Sequence, residues 1–500
     1  MSGILLALSF PRFGHPALAW IALVPLLIAL SGWQGRPGMC PGQRPQRAFT
    51  LGLVAGFVYF IGTIYWTGTV VQTFGGLAAP VAAVAAVLLA LYMALFPALA
   101  SVMVSRLVNR MGVAGLLFAP AAWVGTEFFR GHLFGGFPWV PLGNTQVTVL
   151  PVAQLASVLG VYGLSGLVAL VSAALACAAL TTGRQRIASI AGVGVVLLAV
   201  AGWGSWRIAE GSLTREGTPL RVGIVQGNIA QADKWKDTEA RRIFTTHVAM
   251  TRDVVKRGAQ LVMWPESSTP FMFEEDEAGE TAVRQLAREA GVPILLGSDQ
   301  VDRSQLPLRL YNAAFLVTPE GETAAVYRKI HLVPFGEYIP FRFLVSYVSP
   351  LVDSLGEFAA GDAMVMLPVG SHLISTAICY EVVYPSLVRQ AVNGGSELLT
   401  TITNDAWYGE SSAPFQHFAM ASMRAIEQGR YLARAANTGI SGVIDPYGRV
   451  ASQSAIFEQV GIVEEVRLLT SRTIYSAIGD AIAYVSIAVM ALALMMGRAK

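Results

Sequence analysis

Charge is what this sequence has least of. Only 13% of its 500 residues are Asp, Glu, Lys or Arg, while 54% are hydrophobic; an ordinary soluble domain carries roughly 25% charged residues. That balance excludes a large water-soluble enzyme and predicts a membrane protein with one soluble part. The net charge of +3 makes no case for a nucleic-acid partner. Cysteine is scarce as well. Cys40, Cys177 and Cys379 are the whole set, too few for a disulfide framework. The sequence also lacks zinc-type Cys/His spacing and any GxxxxGK[ST] loop for phosphates.

Long apolar runs fill residues 1–206. They predict spans at 16–32, 49–71, 78–106, 112–129, 153–181 and 187–206, with a last one at 474–496, most of them near the roughly 20 residues a bilayer crossing needs. Ile4–Phe10 is too short to cross alone and reads as the end of a longer first span. It has neither the charged leader nor the small-residue cleavage site of a signal peptide. Arg36, Arg44 and Arg47, then Arg106 and Arg110, then Arg184 and Arg186, and finally Arg498 and Lys500 fall in alternate loops and the tail, while 72–77 and 131–150 are poor in Lys and Arg. The positive-inside rule makes the basic loops cytoplasmic, and parity places 207–473 on the outer side. Three blocks are therefore expected: a multi-span domain over 1–206, an extracytoplasmic domain over 207–473, and a closing helix and tail over 474–500. In Gly131–Leu150, the stretch Phe134-Gly-Gly-Phe137-Pro138-Trp139 reads either as an interfacial aromatic belt or as a gate beside a site above the bilayer.

From Leu220 short apolar runs alternate with charged helical stretches. Strands are expected at 220–226, 261–264, 293–297, 311–318, 323–329, 373–378 and 397–403. Helices are expected at 239–256, 278–290, from about 385, and at 414–430. This alternation is that of a layered α/β domain. Three strand ends carry chemistry: Glu266 after Leu261–Pro265, Lys329 after Thr323–Arg328, and Cys379 after Leu373–Ile378. Functional groups gather beyond the carboxyl ends of such strands. Each also has a plain reading: Glu266 as a carboxylate at a helix start, Lys329 as a surface charge, Cys379 as apolar filler. Compartment weighs on the last. Cys40 is expected in the cytoplasm and Cys177 inside a span, which leaves Cys379 alone and unpaired in an oxidising space, where a free thiol is buried or used.

Trp264-Pro-Glu266-Ser267, Lys329-Ile-His-Leu-Val-Pro-Phe-Gly-Glu337 and Ile378-Cys379-Tyr380-Glu381 stand in the Glu-Lys-Cys order of the nitrilase superfamily, and Thr403-Asn-Asp405-Ala-Trp407-Tyr-Gly409 and Gln416-His417 fit with them. Joined to the membrane half, the chain resembles the apolipoprotein N-acyltransferase family of Gram-negative bacteria over nearly its full length, departing only in a shorter first span. The resemblance implies an α-β-β-α sandwich and a triad of Glu266, Lys329 and Cys379, with support from Glu337, Tyr380, Glu381 and Trp235. It implies a cell inner membrane location with the catalytic domain in the periplasm, and no metal or organic cofactor. The donor is then a membrane phospholipid, typically phosphatidylethanolamine, and the acceptor the α-amine of S-diacylglyceryl cysteine on a lipoprotein.

A thiol is only a few per cent ionised at neutral pH. Glu381, two residues on, would suppress the thiolate further if charged and close, so a base is needed, and Glu266 is the candidate. Lys329 and the Tyr380 N–H are the expected oxyanion donors. The apolar stretch Ile339–Phe358, with Phe341, Phe343, Leu344, Tyr347, Val348 and Leu351, reads as a lid at the membrane interface or as plain core. His331 is expected to be structural, Asn404, Asp405 and Trp407 to shape the pocket, and His417 to be a satisfied helix histidine. Two rival functions remain: a membrane-anchored amidase that passes the acyl group to water through the same triad, and a non-enzymatic membrane scaffold. The intact triad argues against the scaffold, as does the near absence of charge inside the spans, where Glu127 and Arg130 sit at an end and can pair.

Overall fold

The computed structural model describes residues 1–304, 308–334, 336–338 and 358–496. The expected lid over 339–357 lies outside these described residues; Phe358 lies within them. The chain divides into two compact units. The first comprises Met1–Gly211, Ser411–Glu427 and Thr473–Lys500; the second comprises Ser212–Glu410 and Gln428–Arg472. This differs from three contiguous blocks: the closing segment Thr473–Lys500 joins the first unit, and so does a stretch from within the expected outer domain. The helix Ala413–Gln428 was expected in the outer domain, yet nearly all of it belongs to the first unit. Its composition explains the difference: Met423 and Ile426 are fully buried in an apolar cluster with Val124, Val161, Tyr162 and Ala483.

Among the described residues of the first unit, four helical stretches are long and apolar enough to cross a membrane: Pro45–Ile64, Ala79–Arg130, Ala156–Leu180 and Gly183–Thr214. The third and fourth match the expected spans closely. The second holds two expected spans: Ala79–Met111 stops at Gly112, whose φ is +62, and after the 3-10 stretch Gly112–Phe118 the helix Ala119–Arg130 packs back against it. The expected span 16–32 is instead a series of short pieces, Pro16–Leu18, Ala19–Ala22 and Val24–Leu30. Pro25 accounts for the last restart, since it lacks an N–H and is tolerated only in a first turn. The final apolar helix, Ala481–Met495, has 15 residues, about 22 Å at 1.5 Å per residue.

The expected Glu127–Arg130 pair is present at 3.8 Å and buried. It does more than pair. Glu127 accepts from the Leu142 N–H at 2.8 Å and from Ser165, while Arg130 donates to the carbonyls of Phe137 (2.8 Å) and Trp139 (2.7 Å). The loop carrying Trp139 is thus fastened at three points by two side chains of one helix. A buried charge is tolerable only with such partners.

The second unit contains two six-stranded sheets, and its strands are numbered here in chain order: β1 Thr218–Gln226, β2 Leu261–Met263, β3 Ile294–Asp302, β4 Arg309–Val317, β5 Thr323–Arg328, β6 Leu367–Val369, β7 His372–Ile378, β8 Leu398–Thr403, β9 Leu432–Ala436, β10 Gly442–Ile444, β11 Val450–Gln453 and β12 Val460–Leu468. One sheet runs β12-β1-β2-β3-β4-β5 and the other β11-β10-β9-β8-β7-β6. The side-chain period of two sorts the residues. On β2, Leu261 and Met263 face a core shared with Ile374, Ile378, Leu398 and Ile402 of the other sheet, whereas Val262 and the following Trp264 face Val254, Val283 and Leu286 of the helices Asp237–Lys256 and Glu277–Ala290. The helix Pro385–Asn393 packs on β7. The layers are therefore α-β-β-α, as the resemblance implied. The strands expected up to β8 are all present, β3 being longer than expected. The short β6 and the run β9–β12 were not anticipated.

Candidate active site

Four strand ends converge. β1–β2–β3 and β7–β8–β9 are the parallel parts of the two sheets, and the carboxyl ends of β2, β5, β7 and β8 supply Glu266, Lys329, Cys379 and Asn404. The turn after β2 is tight. Ser267 has φ +43, and Ser268 donates its N–H to the Gly297 carbonyl at 2.8 Å. A Cβ on Gly297 would lie 2.6 Å from the Pro265 carbonyl oxygen and 2.7 Å from Glu266 Cα, so only glycine lets β3 pass this close.

Glu266 is 5% exposed. Its Oε1 accepts from Asn312 Nδ2 at 2.7 Å and faces Lys329 Nζ at 3.4 Å; its Oε2 accepts from the Asn404 N–H at 2.8 Å. Glu337 completes the group. Its Oε1 accepts from Lys329 Nζ at 2.7 Å and from Asn312 Nδ2 at 2.9 Å, and its Oε2 accepts from the Val333 N–H at 2.8 Å. One ammonium and one amide therefore bridge the same two carboxylate oxygens. Burial alone would raise the Glu266 carboxyl, but Lys329, the Asn312 amide, Lys234 and the Asn404 N–H together hold it below the usual carboxylate value. Burial likewise works against the Lys329 charge, and Glu337 and Glu266 more than offset it, so this lysine stays protonated.

Cys379 is 5% exposed and opens a 3-10 turn, Cys379–Val383, straight after β7. Its φ is +54, in the left-handed region. Holding a non-glycine residue in such a conformation costs about 1–3 kcal/mol, and such strain clusters at functional sites. Burial pushes its thiol well up, Glu266 and Asp405 push it further, and Lys329 and Thr403 oppose them. The thiol is thus held protonated, with Glu266, Asp405, Lys329 and Lys234 as its charged neighbours.

Glu381 takes a different part from the one expected. Its Oε1 accepts from the Tyr327 hydroxyl (2.8 Å) and from the N–H groups of Ile330 (2.7 Å) and His331 (3.1 Å), and its Oε2 from the Ile378 N–H (2.7 Å). It ties the end of β5 to the end of β7 and so fixes Lys329 relative to Cys379. The charges that chiefly raise the thiol are those of Glu266 and Asp405. Tyr380 and His331 flank the site, both close to Tyr384, whose ring centroid is 5.2 Å from that of Tyr380 and 4.0 Å from that of His331. Asp405 is paired with Arg434 at 2.7 Å, both fully buried.

Trp235 is 51% exposed on the loop before the helix Asp237–Lys256. Trp139 belongs to the first unit. Its indole is fully buried, donates to Gln416 Oε1 at 2.7 Å and lies beside Trp66 and His417. Three residues of the site were not anticipated from the sequence. Asn312 was signalled by a lone amide in the apolar run of β4, since a buried amide needs partners. Asp299 on β3 and Lys234 beside Trp235 carried no comparable signal. Lys234 is 4% exposed and donates to the Glu266 carbonyl oxygen at 3.1 Å. Among the described residues no three His, Cys, Asp or Glu side chains group as a metal site requires.

Residues 2–174 match the apolipoprotein N-acyltransferase N-terminal domain, and residues 221–473 match the carbon-nitrogen hydrolase family. An apolipoprotein N-acyltransferase of Geobacter metallireducens is 38% identical over 98% of this chain and 92% of its own length. One of Gloeobacter violaceus is 34% identical over 99% of this chain and 92% of its own length. Among solved structures, an amidase from Nesterenkonia sp. is 21% identical, with a TM-score of 0.41 over 54% of this chain and 97% of the amidase.

Proposed function

The chain belongs to the apolipoprotein N-acyltransferase family, and from that premise we propose that it moves a fatty acyl chain from a membrane phospholipid, phosphatidylethanolamine above all, to the α-amine of the S-diacylglyceryl cysteine that begins a lipoprotein. The reaction takes place at a bacterial inner membrane, with the unit carrying Cys379 on the periplasmic side. The blocks 1–206, 207–473 and 474–500 serve respectively as membrane domain, catalytic domain and closing anchor, with the helix Ala413–Gln428 lent to the first. One observation carries the chemistry: Cys379, buried and held at φ +54, stands at a strand end beside the buried Glu266–Lys329 pair, whose mutual contact favours the charged form of both.

Glu266 takes the thiol proton as Cys379 Sγ attacks the ester carbonyl, forming the C–S bond. The oxyanion is met by Lys329 Nζ and the Tyr380 N–H, and losing one such donor typically costs about 10²–10³ in rate. Glu337 tethers Lys329 for that task. The intermediate collapses with cleavage of the ester C–O bond, and Glu266 returns the proton to the departing lysophospholipid. The lipoprotein amine then attacks the thioester, Glu266 takes its proton, and Cys379 leaves as the thiol. Trp235, half exposed beside Lys234, is assigned to substrate contact, and Trp139 to supporting its own loop in the first unit.

This scheme is ping-pong. Purified protein given phospholipid alone should gain the mass of one acyl chain on Cys379, lost with hydroxylamine. A diacylated lipopeptide added next should become triacylated, and Cys379→Ala should do neither. Acylation of lipopeptide without any adduct would reject the thioester. Release of free fatty acid with no triacylated product would favour the amidase-like hydrolase.

A further inference from the structure

We propose that Lys234 is a positioning residue for acyl transfer, a second buried cation that balances Asp299, holds the Glu266 backbone and keeps Glu266 available as a base. The inference rests on the reading of Glu266 as that base. It starts from a count of charges. Glu266 and Asp299 are buried carboxylates and Glu337 a partly buried one; among the described residues Lys329 bonds to Glu266 and Glu337 and not to Asp299, while Glu381, also in its field, is taken up by four donors of its own. Among the described residues the Asp299 carboxylate receives one weak contact, from Ser267 Oγ at 3.4 Å. Lys234 is the remaining cation whose field reaches both Asp299 and Glu266.

Its placement makes it specific. Lys234 comes from the loop between β1 and the helix Asp237–Lys256, is almost wholly buried, and donates to the carbonyl of Glu266 itself. The groups that face it are Glu266 after β2, Asp299 on β3, Cys379 after β7 and His247 on the helix. Burial brings Lys234 down to about 8, against the pull of the two carboxylates and the thiol. Burial lifts Asp299 to about 6, with Lys234 opposing. Burial takes His247 down to about 4, so it is neutral near pH 7 and supplies no competing charge. Near neutral pH the region therefore holds two cations, Lys329 and Lys234, among these carboxylates. Without Lys234 it would hold one, and crowded carboxylates retain protons. A protonated Glu266 cannot accept from the thiol.

The sign follows. Acyl-enzyme formation rises with pH as Glu266 ionises, and removing Lys234 raises the carboxyl, so the acid limb moves to higher pH. The test is the rate of Cys379 acylation by phospholipid alone, read by intact mass against pH on the full-length protein in detergent. K234M and K234Q should both shift the acid limb upward by about one unit, roughly tenfold in rate on that limb. K234Q keeps a donor for the Glu266 carbonyl and serves where K234M fails to fold. K234R should keep the wild-type limb. Adding D299N to either neutral variant should move the limb back towards wild type, because it removes the carboxylate left unbalanced. A wild-type limb in both neutral variants, or a rate loss that D299N does not recover, overturns the proposal. E266Q separates the premises: full acylation by E266Q rejects the base assignment itself, whereas a silent E266Q beside a wild-type limb in K234Q rejects only the part given to Lys234.

Discussion

Glu381 receives four donors on one carboxylate, from Tyr327, Ile330, His331 and Ile378. Three of these lie within two residues of Lys329 in sequence and the fourth precedes Cys379 directly. Replacement by Gln keeps the size but turns an amide NH₂ towards N–H groups, and each buried donor left unmatched costs about 1–3 kcal/mol. Glu381→Gln should lower the melting temperature and slow acyl-enzyme formation about 10²-fold through misplacement of Lys329 against Cys379. A rate within a factor of three of wild type, by the same mass assay, would reject this reading. The residue shows what sequence could and could not give. Glu266, Lys329 and Cys379 were legible because each is a polar group ending an apolar run. Glu381 was legible as important, yet its partners come from a strand about 50 positions earlier, and no local pattern reveals them. Lys234 and Asp299 were hidden for the same reason: one sits in a loop, the other in the middle of a strand, and only folding makes them neighbours of Glu266.

At the level of elements, the site depends on how closely β3 passes the turn that carries Glu266. Gly297 is the contact point, with backbone atoms of residues 265–267 within 2.7 Å of where a Cβ would stand. Gly297→Ala must displace that turn, and a shift near 1 Å at a catalytic group can cost about 10² in rate. We expect a folded protein whose acylation rate falls by about that factor while Cys379 still reacts with a small alkylating reagent. Unchanged acylation would show that the turn yields without moving the carboxylate. The longer elements were readable from period alone, as in β1, the helix Asp237–Lys256 and the strand pair β4–β5. The run from β9 to β12 was not. β9 is Leu-Ala-Arg-Ala-Ala with a fully buried Arg434, a composition as good for helix as for strand. What makes it a strand is pairing to β8 and the ion pair with Asp405, both tertiary. The breaks in the first unit were equally hidden, because hydropathy registers an apolar run and is silent about where its backbone restarts.

On the scale of the whole molecule, the two units are not two stretches of chain. Ser411–Glu427 lies between strands β8 and β9 of the second unit in sequence but belongs to the first. A fragment Ser212–Arg472 produced alone should therefore carry an apolar helix whose normal surroundings are missing, Met423 and Ile426 included. Such a patch drives association. The fragment should aggregate or require detergent in size-exclusion chromatography, and a monodisperse fragment in plain buffer would contradict the division. That division could not be read from the sequence, since the helix has the ordinary amphipathic look of one covering a sheet.

The interleaving also imposes a timetable. A ribosome delivers the chain from its N-terminus at about 5–20 residues per second, and domains generally fold as they emerge. The first unit has most of its helices after residue 211 but must wait until residues 411–427 have been made. Until then the buried Trp139 indole has no Gln416 and the Val161 N–H no Glu427. A nascent chain halted in the second unit keeps these donors unmatched, at a cost of about 1–3 kcal/mol for each. Because the first unit also takes in Thr473–Lys500, its completion doubles as a record that the whole second unit has already been translated.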